Sequence, residues 1–332
     1  MLHETSAPLL DGYDLVMLDL DGVVYIGGNA VPDAPEHLRR AREAGVHLAF
    51  VTNNASRTPD TVSDHLVELG VAAEPGDVVT SAQAAAHVLA DRHGAGAKVF
   101  LLGGEGLRVA LKEEGLEPVE SAADEPVAVV TGYGPDVLWR DIMRGAVLIR
   151  GGLPWVASNT DLTIPTDDGE APGHGVQVKM LQDFSGVEPV VAGKPQRPLL
   201  DETVRRVGGD RPLMVGDRLD TDIEGAHNAG VDSLCVLTGV SGLADLVAAR
   251  EELRPTYLAP TLAGLFEAHA VPERDGDRAV LGGWTAEVRD GALRVEGEGE
   301  PGDWWRVAVT AAWWHLDDTG EAADTEGVTP PG

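Results

Sequence analysis

Residues 14–23 read Asp-Leu-Val-Met-Leu-Asp-Leu-Asp-Gly-Val. An apolar run that ends in an acid reads as a strand buried on both faces, the kind a parallel sheet uses. Asp19 and Asp21 stand at i and i+2 of that extended chain and so point to one side. The carboxyl end of a parallel strand is where open α/β sheets bind ligands. Two carboxylates this close resist joint ionisation unless a cation joins them or one keeps its proton. That suits a hard metal ion, or a nucleophile beside an acid. On spacing alone, a solvated acidic turn explains the pair equally well.

Outward from this stretch the chain alternates. A helix is expected over 33–44, closed by Gly45, and a strand over 46–51 followed by the polar loop Thr52-Asn53-Asn54-Ala55-Ser56. A second helix is expected over 59–69, closed by Gly70. The rhythm returns late, with strands at 187–192, 212–216 and 233–237 and helices at 196–207 and 221–229. Strand–helix alternation predicts an α/β fold with a parallel sheet. Both stretches are expected to share one sheet. The intervening residues carry their own alternation: strands near 98–102, 127–131 and 155–158, helices near 82–92, 105–114 and 135–149. About a hundred residues suffice for an inserted domain. The expected organisation is therefore a core at 1–80 and 184–270, split by an insertion at 81–183, with an extension at 271–332.

In the extension, 271–283 reads as a linker and 285–299 as a hairpin turning at Asp290-Gly291, a strong two-residue turn signal. A helix over 301–316 carries Trp304, Trp305, Trp313 and Trp314. These are either an oligomer contact, since Trp is enriched at interface hot spots, or a small core. From Asp317 the chain is acidic and rich in Gly, Pro and Thr, and is expected to be disordered.

The 332 residues carry a net charge of −30. Such a surface repels nucleic acid and anionic membranes. It would also repel a phosphorylated substrate, so a phosphate site must be locally positive. No stretch is apolar for long enough to span a bilayer, and the start does not resemble a signal peptide. The single cysteine, Cys235, excludes an intramolecular disulfide and reads as core packing. A cytoplasmic setting is the expectation.

Three further places can carry chemistry. In 216–223, Gly-Asp-Arg-Leu-Asp-Thr-Asp-Ile, another buried strand ends in Asp217, with Asp220 and Asp222 close behind. Strand ends of one sheet converge, so these carboxylates could meet Asp19 and Asp21 and hold magnesium, which prefers oxygen ligands. Asp220 reads better as the N-cap of the following helix. Thr52 and Asn53 follow a strand, where a hydroxyl and backbone N–H groups make an anion site. A simple polar turn would look the same. Lys194, between Gly193 and Pro195, is one of only four lysines and is placed to neutralise phosphate oxygens. A surface lysine would also fit.

Taken in order, DLDGV, TNNASR, GKP and GDRLDTDI resemble the four motifs of the haloacid-dehalogenase-like (HAD) superfamily. The insertion resembles the class II, type A (C2) cap. VPDAPEHLRRAREAG and VTNNASR resemble phosphatases of that subgroup, which act on p-nitrophenyl phosphate, phosphoglycolate, nucleotides, pyridoxal phosphate or glycerol phosphate. The resemblance covers roughly residues 10–268. It implies a Rossmann-like core and a magnesium-dependent phosphatase acting on a small phosphate ester. It implies that Asp19 is the nucleophile and a metal ligand, and that Asp21 is the general acid and base, with its carbonyl on the metal. Gly22, Thr52, Asn53 and Lys194 would handle the phosphoryl group. Asp217 would bind magnesium and Asp222 would support it through water.

Departures from the subgroup are mild. Ala55 stands where Ser is common, and Thr160 replaces a usual Pro in the stretch 158–175. The cap would present substrate-selecting residues around Tyr133 and Gly134 and from Asn159 to His174. The tail is loosely similar to extensions on some actinobacterial members, including glycerol-3-phosphate phosphatases. Sugar, nucleotide and pyridoxal phosphates stay open as substrates, as does a non-catalytic scaffold, and so does a homodimer or higher oligomer. A signalling receiver domain fits less well, lacking both the second acid and the cap.

Overall fold

The computed structural model describes residues 1–166 and 169–331. The chain groups into two compact units, Met1–Leu48 with Gly209–Gly332, and Ala49–Gly208. Both are α/β, the expected class.

In the first unit, Leu15–Leu18 runs parallel to Pro212–Gly216, with Leu15 opposite Pro212 and Leu18 opposite Val215. Next come Asp232–Val236 and then Tyr257–Ala259, also parallel. Leu15, Val16, Met17 and Leu18 are fully buried, which is why this stretch shows no alternation in the sequence. Burying each such side chain contributes about 1.5–3 kcal/mol relative to leaving it exposed. The helix Ala34–Glu43 starts with Pro at its first turn and turns its Leu38 and Ala41 inward.

The same unit holds the C-terminal extension. Glu273–Asp275, Arg278–Leu281, Trp284–Arg289 and Ala292–Gly297 form an antiparallel meander. Asp290 and Gly291 turn the last hairpin with φ of 53° and 79°, the left-handed pair that a tight two-residue turn needs. The expected linker at 271–283 therefore contains two strands. Glu273–Asp275 is polar and exposed throughout, and Arg278–Leu281 is too short for a period to stand out. Helix Pro301–Thr319 lies on the meander and buries Trp304, Trp305 and Trp313 in one cluster with Leu246, Leu258 and Leu293. The core reading of these tryptophans is the one the structure supports. Trp313 is completely buried and donates its indole N–H to Leu246 O at 2.7 Å.

The expected disorder from Asp317 is a correction. The helix continues to Thr319, Arg254 makes two bonds to Asp317 at 2.9 and 2.6 Å, and Ala323 is buried. Asp324 then pairs its backbone with Gly291 and Leu293. Acidic composition alone did not reveal a buried arginine waiting for a partner.

In the second unit, Phe50–Thr52 pairs in parallel with Val78–Thr80. A separate parallel sheet runs Val190–Val191, Trp155–Ala157, Ala128–Thr131, Lys98–Leu102, Glu117–Val119. The strand expected at 187–192 is thus the edge of the insertion's sheet, pairing with Val156 and Ala157 rather than with the core strands. An apolar pair of valines suits either sheet, and only the tertiary register decides. Helices Trp139–Arg150 and His174–Ser185 pack over this sheet with Phe100, Leu102 and Trp155 between. The helix at His174–Ser185 is unanticipated by the sequence reading. A methyl on Gly145 would overlap Leu102, so the helix approaches the sheet where it has no side chain.

Candidate active site

In the first unit, the strand Leu15–Leu18 delivers Asp19, whose N–H donates to Val215 O at 2.9 Å. The chain then makes one tight turn in which Leu20 O accepts from the N–H groups of Val24 and Tyr25. This holds Asp21 exposed and Gly22 buried. Gly22 has φ of 87°, and a methyl there would fall 2.6 Å from Asp217 Cγ. Its carbonyl accepts from Thr238 Oγ1 at 2.5 Å.

The neighbouring strand Pro212–Gly216 delivers Asp217, fully buried. Val240 N–H donates to its Oδ2 at 2.7 Å, and Ser241 N–H donates to its carbonyl at 3.1 Å. Asp222, also fully buried, is carried by the turn Leu219–Ile223 and reaches back to accept from Arg218 N–H at 3.1 Å. Gly216 lies so close that any side chain there would overlap Asp222.

One carboxylate oxygen from each of Asp19, Asp217 and Asp222 lies within 4.8 Å of the others. Three anionic oxygens this close, two from buried residues, repel strongly without a counter-charge. The donor set is all hard oxygen, which fits magnesium rather than a thiolate- or imidazole-seeking ion. Asp222 is therefore itself a candidate ligand, beyond the supporting role expected for it. Asp220 corrects another expectation. It caps nothing; it is exposed and pairs with Arg218 at 2.8 Å. The helical turn begins at Leu219, and Asp222 reaches back from within it to the backbone N–H of Arg218, the residue that precedes it.

In the second unit, Thr52 and Asn53 follow their strand and are buried. Thr52 Oγ1 accepts from Asn54 N–H at 3.1 Å, and Asn54 Oδ1 accepts from both the N–H and the hydroxyl of Ser56. Asn53 is clamped to Lys194. Its Oδ1 accepts from Lys194 N–H at 2.8 Å, and its Nδ2 donates to Lys194 O at 3.0 Å. Lys194 is buried almost completely. The surface-lysine reading therefore fails, and a buried ammonium needs anionic company.

Around this pair stand Ser81, which the sequence reading did not single out, and Asn159, Asp161 and His174, which it placed only in a substrate-selecting stretch. Asn53 Nδ2 also donates to Asp161 Oδ1 at 3.0 Å, and Asn53 O accepts from Ser81 Oγ and Asn159 Nδ2, each at 2.6 Å. Asn159 O accepts from His174 Nδ1 at 2.9 Å. Burial holds the His174 imidazole neutral, with its pKa pushed down to about 4. Of that stretch, Asp167 and Asp168 lie outside the described residues. Tyr133 and Gly134 sit beside the loop at Gly103 and Gly104, where Gly104 N–H donates to Tyr133 O at 3.2 Å. The local signal that could have pointed to this network is an Asn and an Asp two residues apart, at 159 and 161. Cys235 is buried, and burial raises its thiol pKa far above the ordinary value, consistent with packing.

A family model described as haloacid dehalogenase-like hydrolase matches residues 16–117, and one described as HAD-hydrolase-like matches 191–265. D-glycerol 3-phosphate phosphatase of Mycobacterium tuberculosis is 43% identical over 296 residues, 88% of this chain and 80% of the relative. A 5'-nucleotidase of Bacillus subtilis is 38% identical, over 69% of this chain and 89% of its own. Among solved structures, the mycobacterial glycerol phosphate phosphatase in complex with magnesium aligns with a TM-score of 0.84 at 41% identity, covering 93% of this chain and 92% of that one. A 4-nitrophenylphosphatase from Thermotoga maritima aligns with a TM-score of 0.71 at 30% identity, covering 77% and 97%. Among the described residues, no helix is long and apolar enough to cross a membrane.

Proposed function

The chain belongs to the haloacid dehalogenase-like hydrolases and is a magnesium-dependent phosphatase, and from that premise we propose that it hydrolyses glycerol 3-phosphate through a phosphoryl group carried on Asp19. The observation that carries the substrate is the reach of the similarity. Likeness to the mycobacterial glycerol phosphate phosphatase extends over nearly the whole chain, whereas likeness to the nucleotidase and the nitrophenyl phosphatase stops well short of it.

The roles follow from chemistry. Asp19 attacks phosphorus in line, forming an acyl phosphate as the ester P–O bond breaks. Asp21, exposed at the strand end, gives its proton to the leaving alkoxide. It then takes a proton from the water that attacks phosphorus and frees phosphate and Asp19. Thr52, the backbone at Gly22 and Asn53, and the Lys194 ammonium hold and neutralise the phosphoryl oxygens. Asp19, Asp217 and Asp222 would hold magnesium, which supplies positive charge to the same oxygens. Residues 81–183 serve as the cap, and the single cysteine suits a cytoplasmic setting.

Phosphate release from a panel of esters, with magnesium and with chelator, tests this. Glycerol 3-phosphate is expected to give the highest kcat/KM among glycerol 3-phosphate, phosphoglycolate, pyridoxal phosphate, nucleoside monophosphates and sugar phosphates. A clear preference for any other ester overturns the substrate assignment and leaves the reaction class standing.

A further inference from the structure

The Asn53 carboxamide has two hydrogens to give, and both have acceptors: Lys194 O and Asp161 Oδ1, each at 3.0 Å. Its oxygen takes Lys194 N–H at 2.8 Å. The side chain is thus committed to protein partners, and the Asn53 backbone N–H is the part left to serve an anion. A flipped amide would set its oxygen against both Lys194 O and the Asp161 carboxylate, acceptor against acceptor. The carboxylate therefore fixes which way the amide faces. The amide in turn fixes the backbone on both sides of the Lys194 Cα, from which its ammonium is aimed.

The support continues behind the pair. Asn159, two residues before Asp161, donates to Asn53 O at 2.6 Å, and its own Oδ1 accepts from Asp161 N–H at 3.2 Å. Neutral His174 donates from Nδ1 to Asn159 O. Gly193 completes the fit. A methyl there would fall 2.5 Å from Asn53 Oδ1 and 2.6 Å from Ser158 O, so the strand before Lys194 can approach only as glycine.

We propose that Asp161 is a positioning residue for the phosphate site, acting through the Asn53 amide to set the Lys194 ammonium. The inference rests on the phosphatase reading above. It assigns to a loop of the insertion a part in binding the phosphoryl group common to all esters, not in choosing among them.

The test uses the full chain with magnesium, comparing wild type, Asp161→Asn and Asp161→Ala, each also in a Lys194→Ala background. The readouts are kcat/KM, the inhibition constant of inorganic phosphate, and Tm. Asp161→Ala is expected to lower kcat/KM by about 10- to 100-fold, the scale of a small misplacement at a reacting centre, and to weaken phosphate inhibition in parallel. Asp161→Asn, which can still accept from Asn53 but without charge, should fall between. In the Lys194→Ala background the same changes should cost less than about threefold, because coupled residues are not additive. Unchanged phosphate inhibition in a folded Asp161→Ala protein, or full additivity with Lys194→Ala, overturns the proposal. Should Asp161→Ala not fold, unchanged phosphate inhibition in Asp161→Asn overturns it equally. An inactive wild type would instead remove the phosphatase reading on which the proposal stands.

Discussion

Val240 donates its backbone N–H to Asp217 Oδ2 at 2.7 Å, so the loop after one parallel strand decides where the carboxylate of the neighbouring strand points. Gly239 makes this possible. Its φ is ordinary, but a methyl there would overlap the Asp217 carboxylate. Gly239→Ala is expected to displace Asp217 and raise the magnesium concentration needed for half-maximal activity by 10-fold or more, about 1.4 kcal/mol of metal binding. Magnesium titration of activity checks it. An unchanged magnesium requirement would remove Asp217 from the metal site.

Asp19→Asn is expected to abolish turnover. It should also stabilise the metal-free protein, because it removes one of three crowded negative charges. In chelator, its Tm should exceed that of wild type, and adding magnesium should raise Tm less than it does in wild type. Thermal melts with and without the ion read both effects. Normal turnover by a folded Asp19→Asn protein would sink the nucleophile assignment.

Lys194→Met keeps the length and bulk of a nearly fully buried side chain while removing its charge. The expected loss is about 100- to 1,000-fold in kcat, the usual cost of one preorganised charge-stabilising group. Circular dichroism should show the fold intact. Retention of most of the activity would show that the lysine serves packing alone.

His269 links acid stability to the extension. Its Nδ1 lies 3.2 Å from Arg306 Nη2, and Nε2 lies 2.9 Å from Gly264 O. A guanidinium can only donate, so Nδ1 accepts and Nε2–H donates, which requires a neutral ring. Burial first, and then the Arg306 charge, push its pKa from 6.5 down to about 4. Below about pH 6.5 the unfolded chain takes up a proton that the native state refuses. Stability is therefore full above that pH and is lost as pH falls toward 4, by about 3 kcal/mol at most. His269→Gln, which can accept and donate in the same places, should flatten the pH dependence of unfolding between pH 6.5 and 4.5. Buried His174 adds a loss of the same sign, so the slope should shrink rather than vanish.

Trp313 ties the extension to the parallel sheet's helices. Trp313→Ala is expected to cost about 3–5 kcal/mol, and Trp313→Phe about 1 kcal/mol for the lost bond to Leu246 O. Denaturant unfolding measures both. Equal, small losses would mean the extension packs loosely.

Several elements could be read locally. Leu15–Leu18 and Pro212–Gly216 are apolar runs ending in acids, and Asp290-Gly291 can hardly be anything but a turn. Others left no local signal, or one that did not say which sheet they join. Val78–Thr80 is too short for periodicity, and Val190–Val191 fits two different sheets. Glu273–Asp275 is a strand with all three residues exposed. The acidic tail reads as disordered until Arg254 and the meander's edge supply its partners.

The sequence by itself determined the α/β class, through its strand–helix alternation, and the acids at strand ends, through short apolar runs; the reaction was legible only as what the resemblance of four separated motifs implies. Tertiary structure alone decided which acids converge, making Asp222 a partner of Asp19 and leaving Asp220 to solvent. It also decided that Asn53 would spend its side chain on Lys194, 141 residues away, and on Asp161. Those choices depend on hydrogen bonds and close approaches across long loops. A chain meets them only once it is folded, so no short stretch can announce them.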